Sequence, residues 1–161
     1  MASDLQLPYK YEAVDNLYYV FSNVDGIKYQ VYFTPMYDYY PDLVGTYSFS
    51  IEPEARQVHQ MDRRIALTVV DILTHFFANN EHAMIMVCDT LDGKEMKRRK
   101  LFDRWFIQYN NGKILKYDGS AQADDYTLYL SIYFTKENPH RNQLVTAFYD
   151  LLKTNIDELV V

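Results

Sequence analysis

The residues best suited to chemistry in this chain lie in one stretch, CDTLDGKEMKRRKLFDRWF, residues 88–106. It runs from a cysteine through two aspartates and a glycine into a basic cluster and an aromatic-rich end. Within it, residues 94–104 hold Lys94, Lys97, Arg98, Arg99, Lys100 and Arg104, six of the 16 Lys and Arg residues, but only Glu95 and Asp103 of the 22 acids. Elsewhere 10 basic residues face 20 acidic ones, so positive charge is concentrated here. The chemistry such a cluster offers is anion binding. At a helix start it would be reinforced by free N–H groups and the positive end of the dipole. The competing use is a solvated face, since long basic side chains lay their stems on apolar surface and keep their charge in water. The candidate contact residues are Lys94, Lys97, Arg98 and Arg99, with Lys94, Lys97 and Arg98 expected to converge and Arg98 nearest the sheet.

Other residue types in the stretch are weaker candidates. Cys88 stands ahead of a helix start with cations nearby, conditions that lower a thiol pKa, but a cysteine in an apolar strand is ordinarily inert core. Asp89 and Asp92 resemble the aspartate motif of haloacid-dehalogenase-like phosphatases. That motif has one residue between its aspartates and this chain has two, so Asp92-Gly93 reads as a turn. His59, His75, His82 and His140 form no i, i+4 pair and have no cysteine partner, so no metal site is expected. There is no G-x-S-x-G, Walker loop or G-x-G-x-x-G.

The elements that must position the stretch follow from periodicity. YKYEAV, LYYVFS, GIKYQVYFT and TYSFSIEPE read as four strands of an antiparallel meander, with NVDG as a turn and Pro53 as a stop. YDYYPDLVG is a loop. In DRRIALTVVDILTHFFANN the apolar residues recur at helical spacing behind Asp62 as N-cap, with Asn79-Asn80 as the stop. AMIMVC is a continuous apolar run, the mark of a central strand buried on both faces. A second helix is expected from about Gly93 to Tyr109, with Leu101, Phe102, Trp105, Phe106 and Tyr109 as its buried stripe. KILKYDG and YTLYLSIYF are further strands, and NPHRNQ opens a last helix with Leu144, Ala147, Phe148, Leu151 and Leu152 on one face. The expected fold is one α+β domain over residues 1–161, ordered ββββ-α-β-α-ββ-α, with a mostly antiparallel sheet of six to seven strands and three helices.

Bulk composition limits the function classes. The chain has 161 residues, enough for one domain with a proper core. A net charge of −6 disfavours general binding to nucleic acid. Sixteen tyrosines fit a pleated, half-buried surface, where they pack across strands. One cysteine is consistent with a reducing compartment, and no apolar run approaches the roughly 20 residues of a membrane span. A cytoplasmic location without membrane contact is the expectation.

Two resemblances add to this reading. GIKYQVYF, FFANN, CDTLDGKEMKRRKLFDRWF and the NP ahead of the last helix resemble a small uncharacterised bacterial family, a domain of unknown function. From residue 27 onwards the β-β-α-β-α-β-β order is similar to GCN5-related N-acetyltransferases. That resemblance implies acetyl-CoA as cofactor, with its pyrophosphate at the loop before the first helix, around Arg56, Arg63 and Arg64. It also implies a tyrosine general acid near KLFDRWF. PEARQVHQMDRR has no glycine where that family places its glycine-rich loop, and Phe102 stands near the expected tyrosine, so a non-catalytic relative is implied. The leading expectation is a binding or regulatory domain without a cofactor, contacting an anionic small molecule or protein through its basic helix start. The alternative is an acyl-CoA-dependent N-acetyltransferase with a divergent pyrophosphate loop.

Overall fold

The computed structural model describes residues 7–54, 62–89, 104, 112–122 and 126–153. Its strands are β1 (Tyr11–Asp15), β2 (Tyr18–Ser22), β3 (Lys28–Pro35), β4 (Thr46–Pro53), β5 (Ala83–Asp89), β6 (Ile114–Gln122) and β7 (Thr127–Thr135). Among the described residues two helices can be given bounds, α1 (Arg63–Phe76) and α2 (Arg141–Leu152). The sheet has seven strands in the order β1-β2-β3-β4-β5-β7-β6. It is mixed: β1 with β2, β2 with β3, β5 with β7 and β6 with β7 are antiparallel, whereas β4 and β5 run parallel. A parallel pair cannot be closed by a tight turn, and α1 supplies the crossover. The α+β class and the seven strands agree with the sequence reading. The helix expected over 93–109 lies outside the described residues except for Arg104, which is helical and exposed.

Contacts gather the chain into two compact units, Met1–Phe33 with Ser50–Ala78, and Thr34–Phe49 with Asn79–Val161. In the first unit, α1 buries Ile65, Ala66, Val69, Ile72 and Phe76, the stripe its periodicity required. Tyr19, Phe21, Tyr29, Val31 and Phe33 are buried on β2 and β3. Phe33 stacks on Phe76 with ring centroids 4.1 Å apart. Cross-strand partners Tyr18 and Tyr32 stack at 6.2 Å, and Phe21 and Tyr29 at 5.3 Å, so the tyrosine load is used in sheet pairing. At one end of the sheet β1 is short and largely exposed, and its register slips between Ala13 and Asp15.

Carboxylates organise this unit. Asp62 caps α1, its Oδ1 accepting the Ile65 N–H at 2.7 Å, and its Oδ2 accepts the Tyr9 hydroxyl at 2.7 Å. The Tyr11 hydroxyl donates to Asp71 at 2.6 Å, and the Tyr32 hydroxyl to Glu52 at 2.9 Å. The helix ends at Phe76 and is capped by Phe77, whose N–H reaches the Leu73 carbonyl, just ahead of the asparagines expected to stop it.

The second unit is built on β7, most of whose residues are buried. Leu130, Ile132 and Phe134 of β7 join Ile85 of β5 and Leu144, Ala147, Phe148 and Leu151 of α2 in one apolar cluster. Ala83, Met84, Ile85 and Met86 are all buried, as a central strand requires. β6 continues to Gln122, past the Gly119 at which its sequence reads as ending. Gly119 is a close-approach position: a Cβ there would collide with the Leu152 side chain.

Burial, and for Tyr11 the Asp71 carboxylate, raise the pKa values of six tyrosines. Tyr9, Tyr11, Tyr19, Tyr29 and Tyr32 are shifted upward, chiefly by desolvation, and Tyr47 is pushed up to about 12 by burial and its hydrogen bond with Tyr37. A phenol whose folded pKa exceeds its unfolded value of 10.0 stabilises the fold fully below that value. The stability is lost as pH rises through the folded pKa. The unfolding free energy from urea titrations is therefore expected to fall as pH climbs from about 10 to about 12. Tyr11→Phe should flatten part of that slope, and a stability independent of pH in this window would contradict the assignment.

Candidate functional site

Of the residues singled out in the sequence, Lys94, Lys97, Arg98, Arg99 and Arg56 lie outside the described residues. What is described is the strand that leads to the basic segment. β5 is held by β4 on one side and by seven successive pairs with β7 on the other, ending with Asp89 opposite Leu128. The chain passes from Asp89 into residues 90–104.

Arg63 is exposed at the first position of α1. Arg64 is engaged within the first unit: its guanidinium lies 4.1 Å from the centroid of the Tyr9 ring, and its Nε donates to the Leu7 carbonyl at 2.9 Å. Tyr9 is also held by its N–H, which donates to Thr68 Oγ1 at 2.8 Å. Arg64 thus clasps the segment before β1 onto the helix. His75, exposed, sits 3.9 Å from Asp71 and edge-on to Tyr11, as a residue flanking the apolar stripe.

Two polar arrangements in the second unit were not foreseen. On β6 and β7, Lys116 lies 3.2 Å from Asp118, and the Ser131 hydroxyl donates to the same carboxylate oxygen. Lys116 and Asp118 share one face of β6, and Ser131 is opposite Asp118 in the register, so the group braces the hairpin. Among the described residues no group of three His, Cys, Asp or Glu side chains is placed to hold a metal ion.

The second arrangement is an open cleft of about 470 Å³ lined by Tyr37, Pro41, Val44, Tyr47, Glu81 and His82, with Gly45 and Asn79. The Tyr37 and Tyr47 rings are perpendicular, 90° apart at 5.7 Å, and Tyr47 meets His82 at 73° and 5.2 Å. Each wall has a structural anchor. Residues 36–46 form successive turns, with the Tyr40 N–H on the Met36 carbonyl and the Leu43 N–H on the Tyr40 carbonyl. Met36 and Leu43 are buried and pin these turns to the core, which presents Tyr37 and Tyr39 outward. Tyr47 stands in the parallel ladder, opposite Met84. Residues 79–82 are tied down by asparagines: Asn79 Oδ1 accepts the Glu81 N–H, and the buried Asn138 donates to the His82 carbonyl.

This cleft was not legible as a motif, because Tyr47 and His82 are far apart in sequence. The signal available was the loop YDYYPDLVG, with three tyrosines and two aspartates and no basic residue. Gly45 joins the two walls. Its φ is +61°, its carbonyl accepts the Ala83 N–H at 2.9 Å, and a Cβ there would collide with the Glu81 carbonyl. Gly26, at φ +78°, has open space around it. Gly26→Ala is therefore expected to cost about 1–2 kcal/mol of backbone strain. Gly45→Ala should cost roughly 1–3 kcal/mol more, because backbone must shift. Urea midpoints of the two variants check the difference, and equal losses would refute the close approach.

With this geometry in hand, comparison with known proteins gives one match. No curated protein and no solved structure is significantly similar to the chain. A family of unknown function, DUF6169, matches residues 61–150. The match begins just ahead of α1, takes in the whole of residues 88–106, and ends inside α2. It covers more than half of the sequence, and the chain belongs to the DUF6169 family.

Proposed function

We propose that this α+β domain is a binding or regulatory module that contacts an anionic ligand or partner through its basic segment, with Lys94, Lys97, Arg98 and Arg99 as the contact groups. One observation carries the reading: the segment follows directly from the C-terminal end of β5, an interior strand with a partner on each side. Six of 16 cations thus follow a rigid strand end in a chain otherwise rich in acids. Ligands in sheets with parallel strands commonly sit at such ends, which is an argument by analogy. The single cysteine and the resemblance to a bacterial family favour a bacterial cytoplasmic setting. Among the described residues no helix is long and apolar enough to cross a membrane.

A second reading is favoured by one feature of the topology. α1 makes a parallel crossover between β4 and β5, and among the described residues their ladder has only three pairs, Thr46 with Ala83 to Ser48 with Ile85. This agrees with the GCN5-related N-acetyltransferase order, in which the strand after the helix splays away, and acetyl-CoA would then bind near Arg56, Arg63 and Arg64. Two facts weigh against it. PEARQVHQMDRR offers no glycine for close approach to a pyrophosphate, and Arg64 is engaged with Tyr9 and Leu7.

The two readings separate in a thermal-shift panel of inorganic phosphate, nucleotides, poly-glutamate, CoA and acetyl-CoA. The first expects at least one anion to raise the melting temperature, an effect that fades with added salt as charges are screened over about 8–10 Å. The triple reversal Lys94→Glu, Lys97→Glu, Arg98→Glu should abolish that shift with little change in the unliganded melting temperature. A shift that survives the reversal unchanged, or no shift with any anion, would sink the basic-segment reading. Acetyl-CoA is expected to give no shift of its own. Saturable stabilisation specific to CoA, worth about 2.7 kcal/mol at 100 times its dissociation constant, would establish the second reading instead.

A further inference from the structure

The Tyr37–Tyr47–His82 cleft has the opposite electrostatic character to the basic segment. No lysine or arginine occurs between Lys28 and Arg56 or between Arg64 and Lys94, so neither chain segment lining the cleft brings a cation. The same segments carry Asp38, Asp42 and Glu81, all exposed, and the described ion pairs are made by other carboxylates. Glu81 itself lines the cleft. Aromatic faces attract cations through the ring quadrupole. Because Tyr47 stands nearly perpendicular to both Tyr37 and His82, the three rings offer walls in different directions. An aromatic lining that also includes an acidic residue suits an organic ammonium or guanidinium group.

We propose that this cleft binds the side chain of a lysine or arginine presented by a partner protein. The choice of a partner's side chain over a free cation rests on shape and surroundings. The cleft is open, so it admits a side-chain tip that remains attached to a larger body. The loop beside it displays Tyr39, which is 65% exposed, together with Asp38 and Asp42, where the rim of a protein interface would contact the flanking chain. The walls are preset by Gly45, Asn79 and the parallel ladder, so little ordering is lost on binding.

The test is calorimetric titration with a capped Gly/Ser heptapeptide bearing one central lysine or arginine, against the same peptide with norleucine. The basic peptides are expected to bind saturably, and the norleucine peptide is not. Tyr37→Ala should weaken binding about 3- to 30-fold, the range that corresponds to loss of one cation–ring contact. Glu81→Gln should weaken it as well, and both positions are surface residues whose variants can be checked for an unchanged melting temperature. Tyr47→Phe keeps the ring and should keep the affinity. Equal binding of the norleucine peptide, no saturation with either basic peptide, or binding indifferent to both Tyr37→Ala and Glu81→Gln would overturn the proposal. So would n-butylammonium binding as tightly as the lysine peptide, which would assign the cleft to a free cation. The Lys94, Lys97, Arg98 triple reversal should leave the affinity for basic peptides unchanged, so this site and the anionic one fail independently.

Discussion

A strand buried along most of its length must find backbone partners on both edges, because no water reaches its N–H and C=O groups. β7 is that strand, and its ladders with β5 and β6 answer the requirement. Its alternation then decides what each face carries. Leu130, Ile132 and Phe134 meet α2 in the apolar cluster, while Ser131, on the alternate face, is paired through its hydroxyl with Asp118. β5 inherits its central position from this arrangement, and the exit of the chain from β5 into the basic segment follows from it.

How much of this could be read from the sequence depended on whether the signal was local. The strands of the first half, the Asp62 cap, the apolar stripe of α1 and the buried face of α2 are written in residues a few positions apart, and all were legible. Gly119 misled because a glycine in a strand reads as a break, whereas here it makes room for Leu152, a residue outside the strand altogether. The parallel pairing of β4 with β5 was also hidden: an apolar run such as AMIMVC announces burial but not direction. The cleft was hidden for the same reason, since Tyr47 and His82 meet only through the ladder that begins at Thr46 and Ala83. The basic segment was the reverse case, plain in composition and lying outside the described residues.

The excess of acids over bases would ordinarily leave many carboxylates without a partner. In the first unit phenols take that role, with Tyr9 on Asp62, Tyr11 on Asp71 and Tyr32 on Glu52. A phenol donates one strong hydrogen bond to a carboxylate and packs its ring at the same time, so one side chain serves both polarity and core. This exchange frees the cations of the chain to be grouped elsewhere.

The two ends of the sheet differ in a way that bears on its behaviour at high concentration. β1 is short, slips register between Ala13 and Asp15, and carries the exposed acids Glu12 and Asp15, features that discourage a second copy from adding a strand there. β6 is longer and pairs with β7 without a slip from Ile114 to Gln122. Among the described residues no further strand pairs with β6, and on that basis edge-to-edge stacking of copies, the opening step towards a fibril, would be steered to the β6 side, where a lysine on the outer edge would be the economical gatekeeper.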